Sequence, residues 1–360
     1  MKCKNISLIV LVLLLAVAPV LFAAGAQEEA PEPEPVAPVV EEPAGPEAAP
    51  VAEQTPKATV SGETVAVNMA VFKGPSGFGF VKLIEEGADL VDGITVDTQV
   101  LPSPTEAIAR LASNELDVVA MPINAAASIY NKGIDVRLAA VTGEGMLYLL
   151  SNSDTITTAV SSAAGAVINV PGAGSTPEYV PKYVFGENGL AVGDGVEFDF
   201  SLNVAPQLAQ MLIAGKVESA VLPEPFATMA ETKGANVNRT IDFQSEWAKI
   251  TGNANYPMTA LLIRGEFMKE NPDAVRVIRL AVEDSIDWVN ANPSDAAVLI
   301  EKHGILTAAL AEPAIPNCNL IYIDAMDAKD SIEAYLTVLK DYDASSIGGA
   351  LPDEAFYLAK

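Results

Sequence analysis

Val167-Ile168-Asn169-Val170-Pro171-Gly172-Ala173-Gly174-Ser175-Thr176-Pro177-Glu178 is the stretch that decides the fold. A short apolar run reads as a buried strand, and the turn behind it opens a helix through Tyr179 to Phe185. Gly172 and Gly174 allow positive φ and a close backbone approach. Ser175 or Thr176 suits the N-cap, with Pro177 in the first helical turn. Free N–H groups and small hydroxyls are then expected to point at one spot, fit for an anion or a carbonyl oxygen. Strand, glycine turn and helix start together predict one wall of a ligand cleft.

The same rhythm recurs along the chain. Thr64–Val71 is strand-like and leads into Phe72-Lys73-Gly74-Pro75-Ser76-Gly77 and a short helix, Phe78–Glu86. Ile94–Leu101 is the next strand, and Ser103-Pro104-Thr105-Glu106 starts a helix with a capping-box pattern. Leu116–Ala120 runs into Met121-Pro122-Ile123-Asn124 and a helix to Tyr130. Strands are predicted at Val136–Val141 and Met146–Leu150, either side of Thr142-Gly143-Glu144-Gly145, and a helix at Thr157–Ala164. After the opening stretch come Val196–Phe200, a helix at Val204–Ala214, and Val217–Leu222 ending in Pro223-Glu224-Pro225-Phe226. Asn236–Ile241 reads as a strand, Gln244–Ile250 as a helix, and Tyr256–Ile263 as an apolar returning strand; beyond it the pattern reads helical almost to the end. Strands alternating with helices at this spacing predict βαβ units in a mostly parallel sheet, an α/β fold. In such sheets ligands lie outside the strand carboxyl ends.

The first sixty residues are different material. Lys2 and Lys4 precede an apolar run from Ile6 to Phe22 and then Ala23-Ala24-Gly25-Ala26. This is the pattern of a secretory signal cleaved after Ala26, residues 1–26. The competing reading is an uncleaved anchor, since about 20 apolar residues span a bilayer. No cysteine closes the apolar run, and Cys3 precedes it, so a lipoprotein site is absent. Residues 27–63 interleave Pro with Glu, Ala and Val, a composition that buries no core and favours an extended, disordered linker. It serves as a solubilising leader or as a tether reaching on the order of 100 Å. Export to a periplasmic or extracytoplasmic compartment follows, with a membrane reached only through the leader.

Composition removes several functions. A net charge of −26 without a Lys/Arg cluster argues against nucleic-acid binding. One His and two Cys leave no His-rich metal site or catalytic triad. His303 sits at a helix end, where a cation suits the dipole, and Cys318 reads as a small buried hydrophobe. No metal or cofactor is expected. Gly172-Ala173-Gly174-Ser175 lacks the nucleophile-elbow pattern, and no Lys stands at P-loop spacing. A hydrolase using Ser175, or another enzyme such as a cofactor-precursor synthase, therefore lacks its base, although an enzyme or ligand sensor stays the alternative to a binding module.

Lys73-Gly74-Pro75, the Leu116–Asn124 turn, Gly172–Pro177 and Leu222-Pro223-Glu224-Pro225-Phe226, in this order, resemble the solute-binding proteins of ABC transporters in the nitrate/sulfonate/taurine and thiamine-pyrimidine-precursor group. The likeness spans about Thr64 to Asp284. It implies a two-lobed periplasmic-binding-protein fold of type II-like form, with two crossing strands as hinge and C-terminal helices packed on the first lobe. The first lobe would be 64–145 with 257–360, and the second 146–256. It further implies a monomer that captures a small molecule between the lobes and delivers it to an inner-membrane ABC permease. The expected ligand-binding residues are Lys73, Gly74, Pro75, Ser76, Gly77, Met121, Asn124, Thr142, Gly143, Gly174, Ser175, Thr176, Glu224, Phe226 and Tyr256. No candidate loop carries Arg, the usual bidentate partner of strong anions. The ligand is thus either a sulfonate-like anion held by Lys73 and backbone N–H groups, or an amine or heterocycle donating to Glu224. Thr142 and Gly143 suit a linker as well as a contact. Phe226, Tyr179 and Tyr256 suit packing, with one of them stacking on a ring.

Overall fold

Apolar runs with no polar face need cover on both sides, and they form two sheets. The computed structural model describes residues 64–87, 93–101 and 104–359; the leader, the Pro/Glu segment and Ser103 of the capping box lie outside them. The strands are β1 (Val65–Phe72), β2 (Ile94–Leu101), β3 (Val118–Pro122), β4 (Val136–Glu144), β5 (Leu147–Ser151), β6 (Val167–Asn169), β7 (Glu197–Asp199), β8 (Ser219–Pro223), β9 (Asn238–Asp242), β10 (Pro257–Arg264) and β11 (Leu320–Asp324). The first sheet has the order β11-β4-β10-β3-β1-β2 and the second β7-β6-β8-β5-β9. β1 runs parallel to β2 and β3, and β6 parallel to β7 and β8. β10 is antiparallel to both β3 and β4, and β5 to both β8 and β9. The molecule is a two-lobed α/β protein.

Each face of the first sheet has its own cover. Val67, Met69 and Val71 of β1 share a cluster with Ile278, Val282 and Ile286 of the helix Pro272–Ala291, so the long C-terminal helix packs on the first lobe. Ala70 and Phe72 face the other way, into a cluster with Ala126 and Ala127 of the helix Ile123–Asn131. That second cluster runs on without a break into the other lobe, through Leu147, Leu149, Ile168, Val184 and Trp247. Burying each such side chain contributes about 1.5–3 kcal/mol, so one apolar layer ties the sheets together.

The chain passes between the sheets twice. It leaves at Gly145-Met146, between β4 and β5, and returns at Tyr256, just ahead of β10. Gly145 lies directly against the Tyr256 ring, where a methyl group would collide with it. Tyr256 is fully buried, and its hydroxyl donates to Gln244 Oε1 at 2.7 Å.

The expectation of helix throughout the tail needs correcting at β11, which is a strand on the edge of the first sheet. Its five residues are half-buried along nearly their whole length, so no period-two pattern marks it. Thr157–Ala164 is likewise no α-helix but a short 3₁₀ turn, Val160–Ala163. Ser162 explains it: its hydroxyl accepts from the Thr157 N–H at 2.9 Å and donates to the Ala159 carbonyl at 2.6 Å, offering the backbone a local alternative.

Gly145→Ala is expected to cost about 1–3 kcal/mol, because the Tyr256 ring has no free volume to move into. Urea unfolding checks it: the midpoint should fall with an unchanged slope, and an unaltered midpoint would refute tight packing at the crossing.

Candidate functional site

The first wall is built where β1 and β3 end side by side. Gly74 takes φ 102, and its carbonyl accepts from the N–H of Gly77 at 2.9 Å, which starts the short helix Pro75–Phe78. Gly77 is buried so close to the Phe72 carbonyl that a Cβ would stand 2.5 Å from its oxygen. Pro75 and Ser76 are half-exposed and Lys73 is exposed; among the described residues the Lys73 ammonium has no ion pair and the Ser76 hydroxyl no partner. Asn124, in the first turn of Ile123–Asn131, is half-buried with its amide unpaired. Met121 is fully buried in the core cluster. Thr142 is buried and meets Thr259 Oγ1 at 3.2 Å, while a Cβ on Gly143 would stand 2.6 Å from that same oxygen. These last two therefore serve the seam between β4 and β10.

The second wall begins at the carboxyl end of β6. Gly172 and Gly174 adopt φ 69 and 76. Three N–H groups of this loop are already satisfied: Gly172 donates to the Asn203 carbonyl at 3.3 Å, Ala173 to Asn203 Oδ1 at 2.8 Å, and Gly174 to Glu178 Oε2 at 2.8 Å. The expectation of a wholly free loop is corrected on this point, because Glu178 folds back from its own helix and Asn203 docks from the next loop. Ser175 occupies the N-cap position of the helix Thr176–Glu187 but makes no cap; its hydroxyl donates to the Gly172 carbonyl instead. The Thr176 hydroxyl lies 2.7 Å from that of Tyr335. Among the described residues, the N–H groups of Ser175 and Thr176 are the ones this loop leaves unpaired.

Beside that wall stands a buried ion pair. Pro223 pairs with Leu147 in the ladder, and Glu224 N–H donates to the Met146 carbonyl at 3.0 Å, so the Pro-Glu-Pro turn sits on the crossing. The Glu224 carboxylate accepts from Thr228 N at 3.1 Å, Thr228 Oγ1 at 3.0 Å and Arg239 Nη2 at 2.7 Å. Arg239 comes from β9 and lies 3.9 Å over the Tyr148 ring. Burial raises the Glu224 pKa, and the Arg239 charge and Thr228 hydrogen bonds oppose that rise. Burial also pushes the Tyr148 hydroxyl up to about 12. Sequence reading placed no Arg at this turn; Arg239 is fifteen residues away and arrives only because β9 pairs with β5. The Glu224 carboxylate is therefore committed to the protein, as are the hydroxyls of Thr176 and Tyr256. Phe226 is half-buried against the Leu208–Leu222 cluster.

The first lobe reaches this cluster through a short segment before β11. Asn317 Nδ2 donates to Thr228 Oγ1 at 3.2 Å, its carbonyl accepts from the Tyr148 hydroxyl at 3.2 Å, and the Asn319 amide donates to the Gly145 carbonyl. Between them Cys318 is fully buried, its thiol held well above its usual range by burial and donating to the Ala314 carbonyl at 3.2 Å.

Two sheets joined by a double crossing, with strand carboxyl ends supplying a wall from each, define the periplasmic-binding-protein fold. The chain belongs to the NMT1-like family, whose model matches residues 62–302. Among solved structures it is similar to an ABC transporter protein from Parabacteroides distasonis, with 28% identity over 82% of this chain and 99% of that one and a TM-score of 0.72. The fold is shared with the periplasmic aliphatic sulphonate binding protein SsuA of Escherichia coli, at 12% identity, 82% and 92% coverage and TM-score 0.63. It is shared too with the alkanesulfonate-binding protein SsuA of Xanthomonas axonopodis pv. citri bound to MOPS, at 13%, 81% and 96%, and 0.58. No curated protein matches significantly.

Arg239→Met leaves a buried carboxylate unpaired and is expected to cost about 3 kcal/mol near neutral pH. Because the folded Glu224 pKa lies above the ordinary 4.5, the folded chain holds this proton more tightly, and the carboxyl's contribution to stability falls as pH rises from 4.5 through the folded value. Removing Arg239 steepens that fall. Urea unfolding at about pH 8 and about pH 5 should show a clearly larger loss at the higher pH, and equal losses would contradict the ion pair.

Proposed function

We propose that this protein is the extracytoplasmic solute-binding component of an ABC import system, capturing a small polar molecule between its lobes and handing it to a membrane permease. The observation that carries the reading is the distribution of unpaired polar groups. Lys73, Ser76 and Asn124 on the first wall, and the N–H groups of Ser175 and Thr176 on the second, are left without protein partners among the described residues. The backbone of Gly74, Pro75, Gly77 and Gly174 shapes the same two loops. Membership of the NMT1-like family and the 28%-identical ABC transporter relative support the transport role. No helix among the described residues is long and apolar enough to cross a membrane. The apolar leader supplies export.

The charge of the ligand follows from the same groups. Glu224 was the acceptor that an amine would need, and its carboxylate is filled by Arg239 and Thr228. The groups left over include an ammonium and two N–H groups at a helix N-terminus, which favour negative charge by about 0.3–1 kcal/mol each and up to ~2 when partly buried. A small molecule with a sulfonate, carboxylate or similar anionic end fits best. The two sulfonate-binding structural relatives are in line with this class. Enzymatic use of Ser175 is disfavoured, since its hydroxyl is spent on the Gly172 carbonyl and the sole histidine, His303, pairs with Glu85 at 2.9 Å on another pair of helices.

Native mass spectrometry of protein purified without added ligand, followed by thermal-shift titration with alkanesulfonates and small carboxylates, tests the reading. A small copurifying adduct, or a raised Tm with an anionic member, is expected. Lys73→Ala should weaken that binding about ten- to a hundredfold, the worth of a charge-assisted hydrogen bond. No adduct and no shift across the panel would overturn it.

A further inference from the structure

The residues that set the second wall in place come from the far end of the chain. Tyr335, on the helix Lys329–Tyr342, is fully buried and shares a 2.7 Å hydrogen bond with Thr176, the first residue of the helix that follows the glycine loop. One turn on, the Tyr179 hydroxyl donates to Asp343 Oδ2 at 3.2 Å, and the Tyr179 and Tyr342 rings lie parallel, 6.0 Å apart and inclined by only 2°. Lys182, the next residue on that face, stands 5.1 Å over the Tyr342 ring. Four contacts thus fix one helix start from one direction.

The same helix also holds the crossing and the first wall. The Tyr335 ring stacks on Tyr256 at 5.8 Å and 19°, and Tyr256 is the ring that covers Gly145. Leu336 and Leu339 lie in one cluster with Ile123, Ala126 and Ala127, the helix that begins beside Asn124. Asn131 Nδ2, at the end of that helix, donates to the carbonyls of Ile347 and Ala350, just past the helix Lys329–Tyr342, each at 2.7 Å. The helices Ile123–Asn131 and Thr176–Glu187 therefore share a single backing element.

We propose that the helix Lys329–Tyr342 registers the two ligand walls against each other, with Tyr335 as the positioning residue that fixes the Gly172–Thr176 loop through the Thr176 hydroxyl. The inference rests on the ligand-loop reading of that stretch, but its mechanics need no ligand. Neither hydroxyl touches the bound molecule in this scheme. Tyr335 holds Thr176 so that the Ser175 and Thr176 N–H groups keep a fixed direction. An interaction between residues in direct contact should be non-additive under mutation.

Hydrogen–deuterium exchange on the ligand-free full chain is the test. Tyr335→Phe keeps the ring and its stacking and removes only the hydroxyl. Exchange in peptides covering Gly172–Tyr183 should quicken about two- to tenfold, the effect of one net hydrogen bond, while peptides covering Val81–Glu86 stay unchanged. Thr176→Val should give the same local change, and the double variant no more than either single one. Unchanged exchange at Gly172–Tyr183, a uniform rise across both lobes, or additive effects in the double variant would each overturn the proposal. A failed ligand screen would sink the transport reading and leave this result standing, so the two are separable.

Discussion

The contact on which the rest depends is the Tyr256 ring lying on Gly145. The chain crosses between its lobes twice, and this is where the outgoing and returning segments touch, just past the paired ends of β4 and β10. A glycine is required because the ring occupies the space a side chain would need. Once Tyr256 is seated, Gln244 accepts its hydroxyl and also the Leu147 N–H at 2.9 Å, which fixes the start of β5. Trp247 and Tyr335 close over it at 5.2 and 5.8 Å. Stacked or tilted rings at these separations add about 0.5–1.5 kcal/mol per pair beyond area burial, so the crossing contributes stability as well as carrying the chain.

A second constraint is electrostatic. In a chain this acidic, an arginine beneath the Pro-Glu-Pro turn neutralises a carboxylate that the fold has taken out of water. Buried pairs of this kind stabilise little relative to apolar residues of the same shape, but they are costly to break. Here the geometry includes Asn317 from the first lobe, whose amide and carbonyl both bond within the cluster. The pair therefore acts at the boundary between lobes, next to the crossing at Met146.

Much of the framework was legible because parallel strands buried on both faces leave unbroken apolar runs, and helix starts carry Pro, Ser and Asn. The glycines at 74, 172 and 174 do take positive φ, as their turns require. Other features left no local trace. β11 is a half-buried edge strand without alternation. The satisfaction of the glycine loop by Asn203, and of Glu224 by Arg239, depends on elements brought near only by tertiary folding. Thr176 and Tyr335 are 159 positions apart, and nothing in either neighbourhood announces the other. Sequence marks where polar groups cluster; which of them stay unspent is decided by the packing.

Cys318 draws a practical consequence from this arrangement. It is the one cysteine among the described residues, sealed between Asn317, bonded into the second lobe, and Asn319, bonded to the crossing. Its sulfur is fully buried and donates to the Ala314 carbonyl, so a thiol reagent reaches it only when this segment opens, and burial keeps the thiolate scarce until then. Labelling rate at Cys318 therefore reads opening of the segment before β11, without introducing a probe.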